Sequence, residues 1–105
     1  MNANGVKFTF LTAYKSIQSD ALFVTLKVET GSKPVNLNIY SAKCRSPDGK
    51  QREASSADGA ADVEAKSNAI VSLAFKGVKP GGKVTMDGCI GKDCSNQYNA
   101  VIKVG

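Results

Sequence analysis

The sequence predicts an all-β fold, and three observations predict it. First, apolar residues alternate strictly in two neighbouring runs: Leu22, Val24, Leu26 and Val28, then Val35, Leu37 and Ile39. A period of two places such side chains on one buried face of a strand and leaves their neighbours in water. Second, turn chemistry recurs at short intervals, at Gly31-Ser32-Lys33-Pro34, Pro47-Asp48-Gly49-Lys50 and Gly77-Val78-Lys79-Pro80-Gly81-Gly82. Third, no stretch between these turns carries the periodicity of a long helix.

Taken in order, residues 1–5 read as a disordered leader or expression remnant, and 6–105 as a single domain. The first strand is expected over Val6 to Tyr14, with Val6, Phe8 and Phe10 inward and Lys7 and Thr9 outward. Ser16 to Asp20 is a polar loop. A strand from Ala21 to Thr30 follows, joined by 31–34 to one from Val35 to about Cys44, and the two are expected to pair with their apolar positions on one face. Phe23 points off that face and is expected to pack under a loop or near a sheet edge, an exposed binding aromatic being the alternative. Pro47-Asp48-Gly49-Lys50 should close a hairpin between a strand ending near Arg45 and a short one around Gln51 to Ala54. From Ala54 to Ser67 small and acidic residues predominate, with Val63 the one large apolar side chain. That stretch is expected to be a long loop, with at most a helical turn started by Asp58. Alternation returns at Ala69, Val71, Leu73 and Phe75. Pro80-Gly81 suits the centre of a type II turn. A strand from Val84 to about Cys89 and a last one from Tyr98 to Val104 complete a set of about seven. That number and spacing indicate an immunoglobulin-like antiparallel β-sandwich with Greek-key connections, a small barrel being the main competitor.

A family resemblance rests on particular residues. The strand Ala21-Leu22-Phe23-Val24-Thr25-Leu26-Lys27-Val28-Glu29-Thr30, then Lys33-Pro34-Val35, Ser46-Pro47-Asp48-Gly49-Lys50 and Pro80-Gly81, resembles secreted bacterial telokin-like domains, a family that includes immunoprotective extracellular proteins. The resemblance spans roughly Ala21 to Met86 through short strand-and-turn motifs. It implies an exported, immunoglobulin-like domain of unassigned activity, and it carries no catalytic residue across. The Cys89 to Cys94 segment stands outside the pattern.

With 105 residues the chain holds one core, and no apolar run approaches the length of a membrane span, so no membrane insertion is expected. Its cysteines are Cys44, Cys89 and Cys94. A Cys89–Cys94 bridge across a hairpin-length loop is the expected disulfide. A bridge from Cys44 to either of the others, or no bridge, remains open. The bridge and the architecture favour a secreted or periplasmic protein whose leader is replaced by Met1; a natural cytoplasmic product is the alternative.

Histidine is absent, which removes the usual general base near neutral pH and the commonest transition-metal ligand. Three cysteines without histidine do not make a structural zinc site. Asp58, Asp62 and Glu64 lack EF-hand spacing, and Gly81-Gly82-Lys83 lacks the phosphate-loop spacing. No enzyme activity, cofactor or metal is therefore expected. Tyr14, Tyr40 and Tyr98 are the candidates for base stacking, but no basic cluster interleaves with them, and no nucleic-acid partner is expected.

The net charge of +5 favours an acidic protein partner. Lys43, Arg45, Lys50 and Arg52 flank the Asp48-Gly49 turn and form the first candidate binding site. The second is the disulfide-held tip, where Ile90 and Lys92 are expected to be presented to a partner's groove. The expected function is a non-enzymatic exported binding module of an envelope or extracellular space. An inhibitor or immunity protein blocking an acidic enzyme, or a structural subunit of a secretion or phage assembly, are the alternatives, and the oligomeric state is open.

Overall fold

A computed structural model describes residues 1–59 and 61–104, together with their side chains except that of Tyr40. The stacking role considered for Tyr40, and Ala60 within the expected loop, lie outside the described residues. Eleven strands are assigned among the described residues: β1 (Asn2–Ala3), β2 (Val6–Ser16), β3 (Ala21–Glu29), β4 (Val35–Asn36), β5 (Lys43–Arg45), β6 (Gln51–Glu53), β7 (Ser56–Asp58), β8 (Asp62–Val63), β9 (Asn68–Lys76), β10 (Lys83–Ile90) and β11 (Asn96–Lys103). A 3-10 turn, Ile39–Ser41, separates β4 from β5. The excess over the expected seven consists of two- and three-residue strands that alternation cannot register.

Two antiparallel sheets result. The first has the order β1-β2-β3-β9-β7; in the second, β10 pairs with β11 on one side and with β5 and β4 on the other, β6 and β8 lying outside those two. Buried side chains from both sheets form one apolar cluster, an arrangement compatible with a β-sandwich. The inward row of β3 (Leu22, Val24, Leu26, Val28) is wholly buried and lies opposite Phe75, Leu73, Val71 and Ala69 of β9.

The structure corrects several expectations. The two alternating runs do not pair with each other: β3 lies between β2 and β9, whereas β4 joins the second sheet beside β8 and β10. Alternation records which side chains are buried, and both runs are buried because they face one core from opposite layers. The second run is also broken, since Asn38 adopts a left-handed φ of 48° and starts the 3-10 turn. Residues 1–5 are not a disordered leader. Asn2 and Ala3 pair with Lys7 and Val6, Met1 exchanges hydrogen bonds with Phe8, and Ala3 is buried. The expected loop 54–67 contains β7 and β8, and Val63 anchors β8 in the core. Tyr98, considered for stacking, is buried too: its ring lies 5.4 Å from that of Phe8 and its hydroxyl donates to the Leu37 carbonyl at 2.9 Å.

Gly88 makes that last bond accessible. A Cβ there would collide with the Asn36 carbonyl oxygen and stand 2.7 Å from the Tyr98 ring, so only glycine lets the chain after β4 lie against β10. Removing the hydroxyl in Tyr98→Phe leaves the Leu37 carbonyl unpaired in the core. A loss of about 1–3 kcal/mol is expected, read as a lower urea midpoint at unchanged slope.

Cys44 projects from β5 into the core, and burial pushes its thiol up to about 11. The thiol form is the one the fold accommodates. Its contribution is therefore intact below the unfolded thiol's ordinary value near 9 and is lost as pH rises toward 11. In Cys44→Ala the fall in stability between those pH values should be shallower than in the parent, as measured by urea unfolding at successive pH.

Candidate binding face on the second sheet

The hairpin expected around Pro47-Asp48-Gly49-Lys50 is present. β5 pairs with β6 in the register Lys43 with Glu53, Cys44 with Arg52 and Arg45 with Gln51. Residues directly opposite share a face, so the four cations of the sequence pattern split. Lys43 and Arg45 lie on the solvent face of the second sheet. Arg52 shares the side of buried Cys44 and reaches solvent only because β6 is an edge strand. Lys50 belongs to the turn.

The register of β10 adds what the sequence pattern omits. Lys83 lies directly opposite Arg45 on one side and Lys103 on the other; Thr85 lies likewise between Lys43 and Val101. Arg45, Lys83 and Lys103 thus form one row across three strands, at the roughly 4.7–4.9 Å spacing of neighbouring strands, with Lys43 in the next row. The ion pairs found among the described residues join Lys7 and Lys27 to Glu29 and Lys15 to Asp20, and none of them neutralises this row. Glu53 beside Lys43 and Asp87, two positions along β10 from Thr85, are the acids of this face. Next to the row a depression of about 320 Å3, lined by Ser41, Lys43, Thr85, Asp87 and Asn99 among others, gives the face relief.

Two turns fix this end of the sheet. Gly82 has φ of +90° and its α-carbon lies so close to the Arg45 carbonyl that a Cβ would collide with it, which draws the 79–82 turn against β5. Asp48 accepts hydrogen bonds from the Ser46 hydroxyl and from the Lys50 amide, the latter at 3.2 Å. The Ser46 bond first, then the Lys50 bond and the nearby charges of Lys50 and Lys79, hold its carboxyl below the ordinary carboxylate value.

No protein-family model, curated protein or solved structure matches this chain. Its own residues carry the functional reading.

The second expected site is only partly assembled. Cys89 and Cys94 are bridged, with Cα atoms 4.8 Å apart, and Cys44 is the free cysteine. A disulfide is consistent with an oxidising environment. Ile90, however, is not presented: it is 6% exposed, paired with Val35 and Asn96, because it continues the inward row of Met86. The loop offers Lys92 instead, beside a depression of about 450 Å3 lined by Pro34, Asn36, Asp62 and the bridge. The length of β10, about 24 Å, separates this loop from the cationic row, so the two candidate sites do not combine.

The first sheet also exposes apolar side chains. Tyr14 is 66% exposed and lies opposite Phe23 on the outer face, with Ile70 two rows away. Phe23 is thus on the open face of a central strand, neither under a loop nor at an edge. Outward parity on β3 places it there.

The Asp48 geometry is testable. Replacing Ser46 by Ala should raise the Asp48 carboxyl titration toward the ordinary value of about 3.9, followed by carboxyl-carbon NMR. Above that value the carboxylate form favours the turn in the parent; as pH falls through its lowered pKa that contribution is lost.

Proposed function

We propose that this protein is a non-enzymatic, exported immunoglobulin-like module that binds an acidic protein surface through the outer face of its second sheet, with Arg45, Lys83, Lys103 and Lys43 as the contact residues. The observation that carries the reading is the row Arg45–Lys83–Lys103, which no ion pair among the described residues neutralises. Like charges directly opposite one another across strands destabilise a sheet by up to about 1 kcal/mol per pair. Two such contacts in succession oppose folding, so a role in binding explains them better than solubility does. Electrostatic complementarity of this kind speeds and orients association with an acidic partner.

The immunoglobulin-like assignment is supported by strand order. β2-β3-β9-β7 facing β6-β5-β10-β11 follows the ABED and C′CFG order of such sandwiches. The disulfide supports export, as does the resemblance to secreted telokin-like domains.

Charge reversal separates binding from folding. Lys83→Glu puts an acid between Arg45 and Lys103, so it should raise stability by a few tenths to about 1 kcal/mol in urea unfolding. It should also abolish most of the salt-sensitive affinity for poly-L-glutamate, used as an acidic probe and followed by NMR titration. Arg52→Glu changes net charge equally but lies off the face, and it should keep most of that affinity. Equal losses in the two variants would refute the assignment of the site.

A further inference from the structure

Among the described residues strand β11 pairs with β10 alone; its other edge makes no ladder with another strand, although β1 and β2 lie beside it. One hydrogen bond establishes what that edge presents. Val104 donates to the Gly82 carbonyl, so Val104 and Gly82 are a hydrogen-bonded pair. Alternation of pair types along an antiparallel ladder then turns the main-chain groups of Lys103, Val101, Asn99 and Gln97 away from β10. The Asn4 side-chain amide independently fits this, donating at 3.0 Å to the Gln97 carbonyl. Asn4 occupies the edge at Gln97; no protein hydrogen bond to the edge groups of Asn99, Val101 and Lys103 is found among the described residues.

The side chains of these same residues face outward with the cationic row. Beside the edge runs a groove of about 370 Å3 between β11 and β2, whose walls include Met1, Phe8, Phe10, Val101 and Lys103. Met1 and Val101 are each about half exposed. A strand added here would extend the row Arg45–Lys83–Lys103 by one position.

We infer that the free edge of β11 takes up an extended acidic peptide segment by antiparallel strand addition, the segment placing an Asp or Glu opposite Lys103, then an apolar residue into the groove beside Phe8 and Phe10, then a second apolar residue opposite Val101. Main-chain bonds to Asn99, Val101 and Lys103 supply affinity, and the alternating side chains supply selectivity. The acid is chosen because Lys103 already lies against Lys83, and an opposite charge on its free side relieves that contact. The apolar positions are chosen because the groove and Val101 leave apolar surface open. This inference rests on the acidic-partner reading above and names the form the partner takes.

The test uses the whole protein and a capped peptide, acetyl-Thr-Glu-Val-Val-Thr-Thr-amide. In the expected register its Glu faces Lys103 and its second Val faces Val101. The expected result is saturable binding that slows amide exchange at Asn99, Val101 and Lys103. A peptide with Lys in place of Glu should bind roughly fivefold more weakly, and Lys103→Glu should invert that preference. Methylating the backbone nitrogen of the second Val, whose N–H faces β11, should weaken binding roughly tenfold or more; methylating the first Val, whose N–H points away, should not. These methylated probes leave the protein unaltered, so misfolding cannot imitate the result. Val101→Pro, which removes an edge donor without touching the β10 ladder, should give the same loss. Absence of saturable binding at millimolar peptide overturns the inference, as does equal tolerance of the two methylations. Edge amides already protected in a dimer without peptide would assign the edge to a second copy and overturn it as well. Peptide shifts confined to the side chains of Arg45, Lys83 and Lys103 would overturn strand addition while leaving the face itself as the binding surface.

Discussion

The hydroxyl of buried Tyr98 donates to the carbonyl of Leu37, and much of the second sheet depends on that bond. It ties the chain leaving β4 to Tyr98 of β11, across Gly88 in the middle of β10, where among the described residues no strand pairs on that side. From there the 3-10 turn carries the chain past Ser41 and delivers β5 to the far end of β10. The bond is available only because Gly88 presents no side chain between the Tyr98 ring and the Asn36 carbonyl. Desolvation pushes the Tyr98 phenol far above its ordinary value, and the charge of Asp87 adds to the effect, so the group remains a donor throughout the working pH range. The segment held by that bond leads through the 3-10 turn into β5, where Arg45 meets Lys83.

The resulting cationic row is a local conflict in a sheet that is otherwise consistent. Inward positions on β10 and β11 face one another in register: Val84 opposite Ile102, Met86 opposite Ala100 and Gly88 opposite Tyr98. Outward positions hold Lys83, Lys103 and Arg45 side by side. Natural sequences tolerate such disagreement where function requires it. Lys103, the member of the row on β11, also protects an exposed edge, since lysine on an open strand discourages pairing between identical chains. An acidic segment is not excluded by that device, and under the proposed strand addition the row would distinguish among extended segments by their charge.

Much of this was legible in the residues themselves. The all-β class, the inward sets of β2, β3 and β9, and the hairpin at Asp48-Gly49 follow from period-two alternation and turn chemistry. Strand partnership did not follow, because parity is a property of one strand and pairing a property of two. That is why the runs at 22–28 and 35–39 looked like neighbours although they sit in facing layers. Short strands such as β7 and β8 were hidden because two or three residues hold no period. Of the site, Lys43 and Arg45 were visible through their clustering, whereas Lys83 and Lys103, about forty and sixty residues away in sequence, reach it through register alone. Cys89 does not begin the hairpin tip, because β10 continues through Ile90. Extending the parity of Val84 and Met86 by two more steps places it in the core.

The position of Cys44 bears on how the chain reaches its covalent form. Three thiols offer three single bridges, and thiol–disulfide exchange permits any of them while a thiolate can attack. Once β5 has docked on β10, Cys44 lies opposite Val84 with no solvent access, and its thiol is strongly disposed to stay protonated. It is then neither a nucleophile nor a target. Cys89 and Cys94, nearer the surface, are left as the reactive couple. Oxidation after the sheet has assembled has one outcome, whereas oxidation of a loose chain has three. Packing of an apolar strand thus acts as the editor of the disulfide.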